Sequence, residues 1–353
     1  MSKKIKKLPI TNNVESKNVL RALVKATKAI SLLKGYSELL PNKSTLINAI
    51  LLNESKNSSA IENIITTHDD LFDSLGSNTI KGAATKEVLN YKEALWQGYN
   101  LVKSKGFLTT NMIVEIQEIV EENKGGIRKL PGTKIVKDVT GEVVYTPPQS
   151  EDEIRALLGN LELFMNRDEG LDDLVKLAMI HYQFEAIHPF YDGNGRTGRI
   201  INVLYLVQKG ILDTPILYLS KYINETRSEY YKLLNEVTTK DNWEEWIIYL
   251  LIGVEKTATY TLDLVKEINN LLEETKVMIK LELPKIYSSE LIDSIFSDLY
   301  TKIGKVSSDL GVTRKTAANY LTTLENKGFL RSKKIGKDRI FYIEELHQLI
   351  SSK

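Results

Sequence analysis

A chain of 353 residues with 42% hydrophobic and 26% charged residues has the makeup of a globular protein holding more than one domain. Its 47 Lys and Arg against 46 Asp and Glu argue against a chain that coats nucleic acid along its whole length, although local basic patches stay open. There is no cysteine, which removes disulfides, thiolate metal sites and cysteine nucleophiles; with histidine only at 68, 181, 188 and 347, no close pair suggests zinc. The basic N-terminus, Met-Ser-Lys-Lys, leads into no apolar core or small-residue cleavage site. The expectation is therefore no secretion signal, no membrane span and a cytoplasmic protein.

Residues 14–52 carry apolar groups at helical spacing, as in Val19, Leu20, Leu23 and Val24, with Pro41 and Ser44 punctuating a second helix at Leu46, Ile47, Ile50 and Leu51. In Ser58-Ser-Ala-Ile-Glu62-Asn63, a helix would put Ser58 and Glu62 on one face. Taken alone, that string reads as a solvated helix start with a serine cap. Amphipathic helices follow over 87–102 and 111–122, broken by Gly106 and by Gly125-Gly126. The period then changes. Thr133, Lys134, Ile135 and Val136, then Val143, Val144 and Tyr145, read as two short strands around a turn at 138–141, closed by Pro147-Pro148. Such a hairpin should lie on the helical body, and its edge is suited to pairing with an extended segment of another protein; a purely structural ribbon is the other reading.

Helices are predicted over 152–165, 172–186 and 196–208, with Pro189 ending the second at His188 and Gly210 capping the third. His181 falls on the buried side of its helix and reads as a core histidine. Further helices are expected over 228–237, 243–251 and 253–283, the last stopped by Pro284. The tail reads as a separate winged helix-turn-helix, with helices at 291–300, 306–310 and 314–327 and a wing turning at Gly336-Lys337. Lys315, Lys327, Arg331, Lys333, Lys334, Lys337 and Arg339 face few acids in the sequence, a surface fit for DNA phosphates or, equally, for a protein or dimer contact.

The chemistry concentrates in His188-Pro-Phe-Tyr-Asp-Gly-Asn-Gly-Arg-Thr-Gly-Arg199. Backbone N–H groups beside Gly193 and Gly195, at the positive end of a helix, form an anion nest for a polyphosphate. Asp192 is a hard oxygen ligand for Mg²⁺ that rides in on a nucleotide; Arg196 and Arg199 adjoin on one helical face; His188 is the only group there titrating near neutral pH. Gly193-x-Gly195-x-x-Gly198 also spells the dinucleotide fingerprint, but a helix and not a strand precedes it, so that reading is discarded.

Residues 188–199 match, position for position, the signature of the Fic family, His-Pro-Phe-x-Asp/Glu-Gly-Asn-Gly-Arg-x-x-Arg, and the resemblance spans about residues 40–250. It implies a mainly α fold: a Fic-type helical core with a β-hairpin flap at 133–145, here with a C-terminal winged helix. It implies transfer of AMP from ATP to a Tyr, Thr or Ser hydroxyl of a protein, releasing pyrophosphate. His188 would be the base and Asp192 the Mg²⁺ ligand. Asn194 would steady the α-phosphate, Arg196 and Arg199 would take the β- and γ-phosphates, and Gly193, Gly195, Thr197 and Gly198 would complete the ATP site, with Phe190 as anchor. For adenine the candidates lie between Tyr222 and Tyr231, Asn224 and Glu225 among them. Gly195, where kinase-type members carry lysine, favours nucleotidyl transfer.

Ser58-x-x-x-Glu62-Asn63 resembles the inhibitory motif of one class of the family, in which the glutamate takes the second signature arginine, here Arg199. The expected organisation is an N-terminal helical region with that motif (1–105), a catalytic core (106–252), a helical linker (253–285) and the winged helix (286–353). Expected partners are a protein substrate, the chain itself by self-modification, DNA through the tail and a second copy in a homodimer. A DNA-binding regulator with a nucleotide-sensing core is the competing class, and removal of AMP, with Glu62 orienting water, is a third.

Overall fold

The computed structural model describes residues 5–11, 14–38, 43–76, 80, 82–136, 141–335 and 338–351. Pro41, most of the hairpin turn (138–140), the wing turn Gly336-Lys337 and the Met-Ser-Lys-Lys N-terminus lie outside the described residues. In chain order the elements are α1 (Lys17–Glu38), α2 (Lys43–Ile61), α3 (His68–Gly76), α4 (Ala83–Lys105), α5 (Thr110–Glu121), β1 (Ile135–Val136), β2 (Val143–Tyr145), α6 (Glu151–Asn166), α7 (Asp173–Ile187) and α8 (Asn194–Gln208). There follow α9 (Leu219–Glu225), α10 (Arg227–Lys240), α11 (Trp243–Glu282), α12 (Ser289–Ile295), β3 (Thr301–Lys302), α13 (Ile303–Leu310), α14 (Arg314–Asn326), β4 (Arg331–Ile335), β5 (Asp338–Tyr342) and α15 (Glu344–Ser351). No described helix is long and apolar enough to cross a membrane.

Short polar side chains start several of these helices by accepting a free backbone N–H: Thr109 from Met112 for α5, Ser150 from Glu153 for α6, Asp172 from Leu174 for α7 and Thr313 from Thr316 for α14. α7 and α8 are buried on nearly every side and form the centre, wrapped by α4, α5, α6 and α11. Close approach of α7 to α8 requires Gly198, where a Cβ would stand 2.5 Å from the Glu185 carboxylate and 3.0 Å from the Phe184 ring. The hairpin is shorter than its sequence pattern, pairing Ile135 with Tyr145 and Val136 with Val143.

The two helices expected over 243–283 are one helix of 40 residues, about 60 Å long, packed along α1. Gly253 does not break it; a side chain there would meet the Tyr222 ring at 2.7 Å, so the glycine marks close packing against α9. In the tail, the helix expected over 291–300 stops at Ile295, and Thr301–Lys302 joins the wing instead, giving a three-stranded antiparallel sheet in the order β3-β5-β4. The tail docks on the N-terminal region: Asn53 Nδ2 donates to Ile350 O at 3.3 Å, and the Phe72 and His347 rings lie 4.2 Å apart. The basic residues thought to face few acids are partly engaged, Lys333 with Asp73 at 2.5 Å, Arg339 with Glu325 at 2.5 Å and Lys327 with Glu282 at 3.8 Å.

Candidate active site

His188 caps α7 in the left-handed conformation, φ 48°, with its N–H on Phe184 O, so the chain turns out of the helix at the imidazole, before Pro189. Phe190 is buried against Phe184 and anchors the loop as expected. The Asn194 amide reaches back to the backbone of Phe190, accepting from its N–H at 2.8 Å and donating to its carbonyl at 2.9 Å. Asn194 is therefore the brace of the loop, with one Nδ2 hydrogen left for the phosphate contact that the resemblance implied. α8 begins after Gly193, φ 76°, and its first ladder bond runs from Thr197 N to Gly193 O. The amides of Asn194, Gly195 and Arg196 thus have no acceptor within the helix, which is the nest read from the sequence.

A cavity of about 380 Å³ opens over that nest, bordered by Glu62, Glu87, His188, Asp192, Gly195 and Arg196 among others. Burial holds the His188 imidazole below its ordinary range, at about 4, with the Arg128 charge adding to it; the Glu185 carbonyl, Glu62 and Asp192 pull the other way. The ring is neutral at pH 7. Its Nδ1 is enclosed, which leaves Nε2 as the nitrogen available to take a proton.

Arg199 is held through two of its three nitrogens. Its Nη2 pairs with Glu62 Oε1 at 2.8 Å and donates to Ser58 O at 2.9 Å, while Nε donates to Ser58 Oγ at 2.7 Å. Ser58 is buried near the C-terminal end of α2, so the solvated helix start suggested by the bare string is not what forms. Asn63, φ 62°, turns the chain just after Glu62. A Cβ at Gly195 would collide with Glu62 Oε1, so the carboxylate lies directly on the first turn of α8. Burial works against the Arg199 charge, yet Glu62 and the other groups around it hold its pKa above the usual range. Two further carboxyls near Arg199, Glu54 and Glu185, are driven up to about 7 by burial, and Glu185 Oε1 has no hydrogen-bond partner among the described residues.

Several residues that hold the loop escaped the sequence reading. Arg196 is clasped by Glu121 at 2.6 Å and Glu87 at 2.9 Å, so its implied phosphate contact must share the guanidinium with two carboxylates. Gln117, one turn before Glu121 on α5, donates to Asp192 O at 3.2 Å. Arg128 binds the His188 carbonyl at 2.8 Å, and Arg227 ties α10 to Ala60 O and Asn63 Oδ1. The i, i+4 spacing of Gln117 and Glu121 was the available signal for α5; nothing local announces the others. Thr197 and Gly198 turn into the core and do not border the cavity. Glu225 pairs with Lys221 at 3.2 Å and Asn224 with Asn57, neither beside the cavity, while Tyr222 packs on Tyr249. His181 is a core residue bonded to Tyr230 and Asn202. In the hairpin, Val136, Val143 and Val144 are exposed, while Tyr145 anchors it through Ala186 O at 2.8 Å.

Among the described residues no three His, Cys, Asp or Glu side chains gather as a metal site. Asp192 is the carboxylate of the loop itself on the cavity, its Oδ1 bonded to the Gly193 amide, and a single protein carboxylate fits Mg²⁺ that brings phosphate and water ligands with it.

Family patterns agree with this geometry: Fic/DOC family N-terminal over residues 20–100, Fic/DOC family over 107–206, and the SoFic-like C-terminal domain of protein adenylyltransferases over 271–346. The two Fic/DOC segments cover just over half the sequence, and the chain belongs to the Fic/DOC family. Among curated relatives, protein adenylyltransferase fic-1 of Caenorhabditis briggsae is 33% identical over 182 residues, 48% of this chain and 35% of that protein. Protein adenylyltransferase Fic of Nematostella vectensis is 28% identical over 157 residues, 44% and 35% of the two chains. The chain thus spans about a third of the length of these relatives. A Fic family protein from Desulfovibrio desulfuricans shares the fold over 95% of this chain and 97% of its own, with TM-score 0.59 at 16% identity. Fic-1 of Caenorhabditis elegans matches over 70% and 73%, with TM-score 0.54 at 21% identity.

Proposed function

We propose that this protein transfers AMP from ATP to a hydroxyl side chain of a protein, and that the conformation described is its self-inhibited one. The observation that carries the reading is Glu62 seated on Arg199 and on the first turn of α8, at the edge of a cavity that also holds His188 and Asp192. In the reaction the hydroxyl oxygen bonds to the α-phosphorus as the bond to pyrophosphate breaks, and His188 Nε2 takes the hydroxyl proton. The nest amides and Arg196 neutralise phosphate charge, which is most of what a nucleotidyl transfer asks of a protein. Bound Mg²⁺, held by Asp192, would supply further neutralisation of the phosphates. The exposed edge of β1 and β2 suits pairing with an extended segment that carries the target hydroxyl.

Inhibition follows by competition. While Glu62 holds Arg199, the γ-phosphate lacks its partner and a second negative group would meet the Glu62 carboxylate. Self-modification goes with release of that pair. DNA binding by the tail is the lesser reading; it would rest on the exposed Lys315, Arg331 and Lys334, since Lys327, Lys333 and Arg339 have acidic partners.

The test is incubation with α-labelled ATP and Mg²⁺, with and without His188→Ala. A base of this kind contributes ~10²–10⁴-fold, so label on protein should fall by that order in the variant while ATP binding persists. Equal labelling of parent and variant would refute the assignment.

A further inference from the structure

Arg128 follows the Gly125-Gly126 pair after α5 and is 0% exposed. Its guanidinium is held by carbonyl groups: Nε donates to His188 O at 2.8 Å, and Nη2 donates to Pro148 O and, at 3.5 Å, to Ile187 O. Its own backbone N–H donates to Pro189 O at 2.9 Å, and Nη1 is buried with no partner among the described residues. A buried cation matched only by neutral groups is costly, so the fold must gain something from its position.

The carbonyls it takes identify that gain. Ile187 and His188 are the last carbonyls of α7, the negative end of the helix, which a cation satisfies. His188 is also a non-glycine residue at φ 48°, a conformation costing roughly 1 kcal/mol or more unless neighbours enforce it. Arg128 grips that residue's own carbonyl. Through Pro148 the same side chain holds the end of the hairpin, which Tyr145 fixes to Ala186 O from the other side. One guanidinium therefore joins the proposed base, the end of the helix that carries it and the segment proposed to present the substrate.

We propose that Arg128 is the positioning residue for His188: it holds the base in its left-handed turn at a fixed distance from the hairpin, so that an incoming hydroxyl meets Nε2. This rests on the transfer reaction proposed above. The charge works with the geometry. Burial and Arg128 favour the neutral imidazole, against the carboxylates of Glu62 from the end of α2 and Asp192 from the loop and the Glu185 carbonyl from α7. Tyr191, Glu87 and Arg196 border the same cavity.

The experiment compares Arg128→Lys and Arg128→Gln, each in the Glu62→Gly background, by kcat, KM for ATP and thermal midpoint. Lysine keeps the charge, but its donors radiate from one nitrogen and do not reproduce the separated Nε and Nη2 contacts of the planar fork. Misplacing a reacting group by about 1 Å costs ~10²-fold, so kcat should fall by that order in both variants. KM for ATP should change by less than about two-fold, because the nest, Asp192 and Arg199 are untouched. A merely structural arginine would instead move kcat, KM and the thermal midpoint together, and that result, or an unchanged kcat, overturns the proposal. If Arg128→Gln does not fold, Arg128→Lys decides. If Glu62→Gly with Arg128 intact transfers no AMP, the functional reading has failed; NMR of His188 in Arg128→Lys then decides alone. The positioning of the imidazole by Arg128 then stands, apart from the reaction, if the signals of His188 move while those of His181 stay, and falls if neither moves or both move.

Discussion

Two regions of the molecule pair basic side chains with carboxylates from another element, and they do it with very different consequences. In the first turns of α8 the Arg199 side chain is 2% exposed and the Arg196 side chain 4%. In the wing, Lys333 meets Asp73 with its own side chain 50% exposed. Exposed pairs are worth ~0–1 kcal/mol and weaken in salt, whereas removing one member of a buried pair costs ~3–5 kcal/mol because the other is left without water. The same contact on paper can therefore act as a switch in the loop and only as a docking aid in the tail. Glu62 stands between the two limits: at 36% exposed it can leave, while the Arg199 it leaves behind cannot.

The largest effect should come from opening that pair. Glu62→Gly frees Arg199 for phosphate and leaves in place the hydrogen bonds that hold His188 and the nest, and each ~1.4 kcal/mol of competition removed is a factor of ten. Transfer of AMP to protein, including to the chain itself, should rise about tenfold or more, and Glu62→Gln, which keeps a hydrogen bond but not the charge, should fall between parent and glycine. A Glu62→Gly protein no faster than the parent at saturating ATP would erase the distinction between the loop and the wing.

A second test uses the buried titratable groups around the loop. Burial depresses His188 to about 4 and His181 to about 3, below an ordinary 6.5, so their contribution to stability is complete above pH 6.5 and is lost as pH falls through those values. Glu185 has the opposite sign: raised by burial from 4.5 to about 7, its contribution is complete below pH 4.5 and is lost as pH rises through 7. Glu185→Gln removes the second dependence alone. Relative to the parent, the variant should gain up to about 3 kcal/mol in urea unfolding between pH 4.5 and 8. An equal difference at both pH values would mean that Glu185 is ionised in the folded protein.

What was legible in the sequence follows from where the contacts lie. The 188–199 loop spells itself out because its parts are adjacent: Asn194 reaches four residues back to Phe190, and Asp192 bonds the next amide. Ser58 and Glu62 were legible as a pair one helical turn apart, while their partner 137 residues on from Glu62 came only through the family resemblance. Glu87, Arg128 and Arg227 act across 60 to 170 residues of chain and carry no local mark, so no pattern of spacing exposes them, and Glu121 is marked only by its spacing from Gln117. The wing was legible only in part, for the converse reason. Counting basic residues gave a free cationic face, but α3 supplies Asp73, and α11 and α14 supply Glu282 and Glu325. The continuous α11 was misread because Gly253 punctuates a sequence whether it ends a helix or admits the Tyr222 ring.

The smallest effect belongs to the wing. Lys333→Ala removes the pair with Asp73 but leaves the apolar and aromatic contacts beneath it, where Ile335 and Ile340 pack against Gly76 and the Phe72 ring meets His347. The loss in urea unfolding should be under about 1 kcal/mol and should shrink further as salt shortens the screening length. Asp73 is the more buried partner, its side chain 11% exposed, so Asp73→Ala should cost more than Lys333→Ala through what surrounds the carboxylate. Neither change touches the Glu62 pair, so AMP transfer in the Lys333→Ala protein should match the parent. A rise comparable to that of Glu62→Gly would instead mean that the tail holds the inhibitory segment in place through α3, and that exposure at the wing understates what its lysine does.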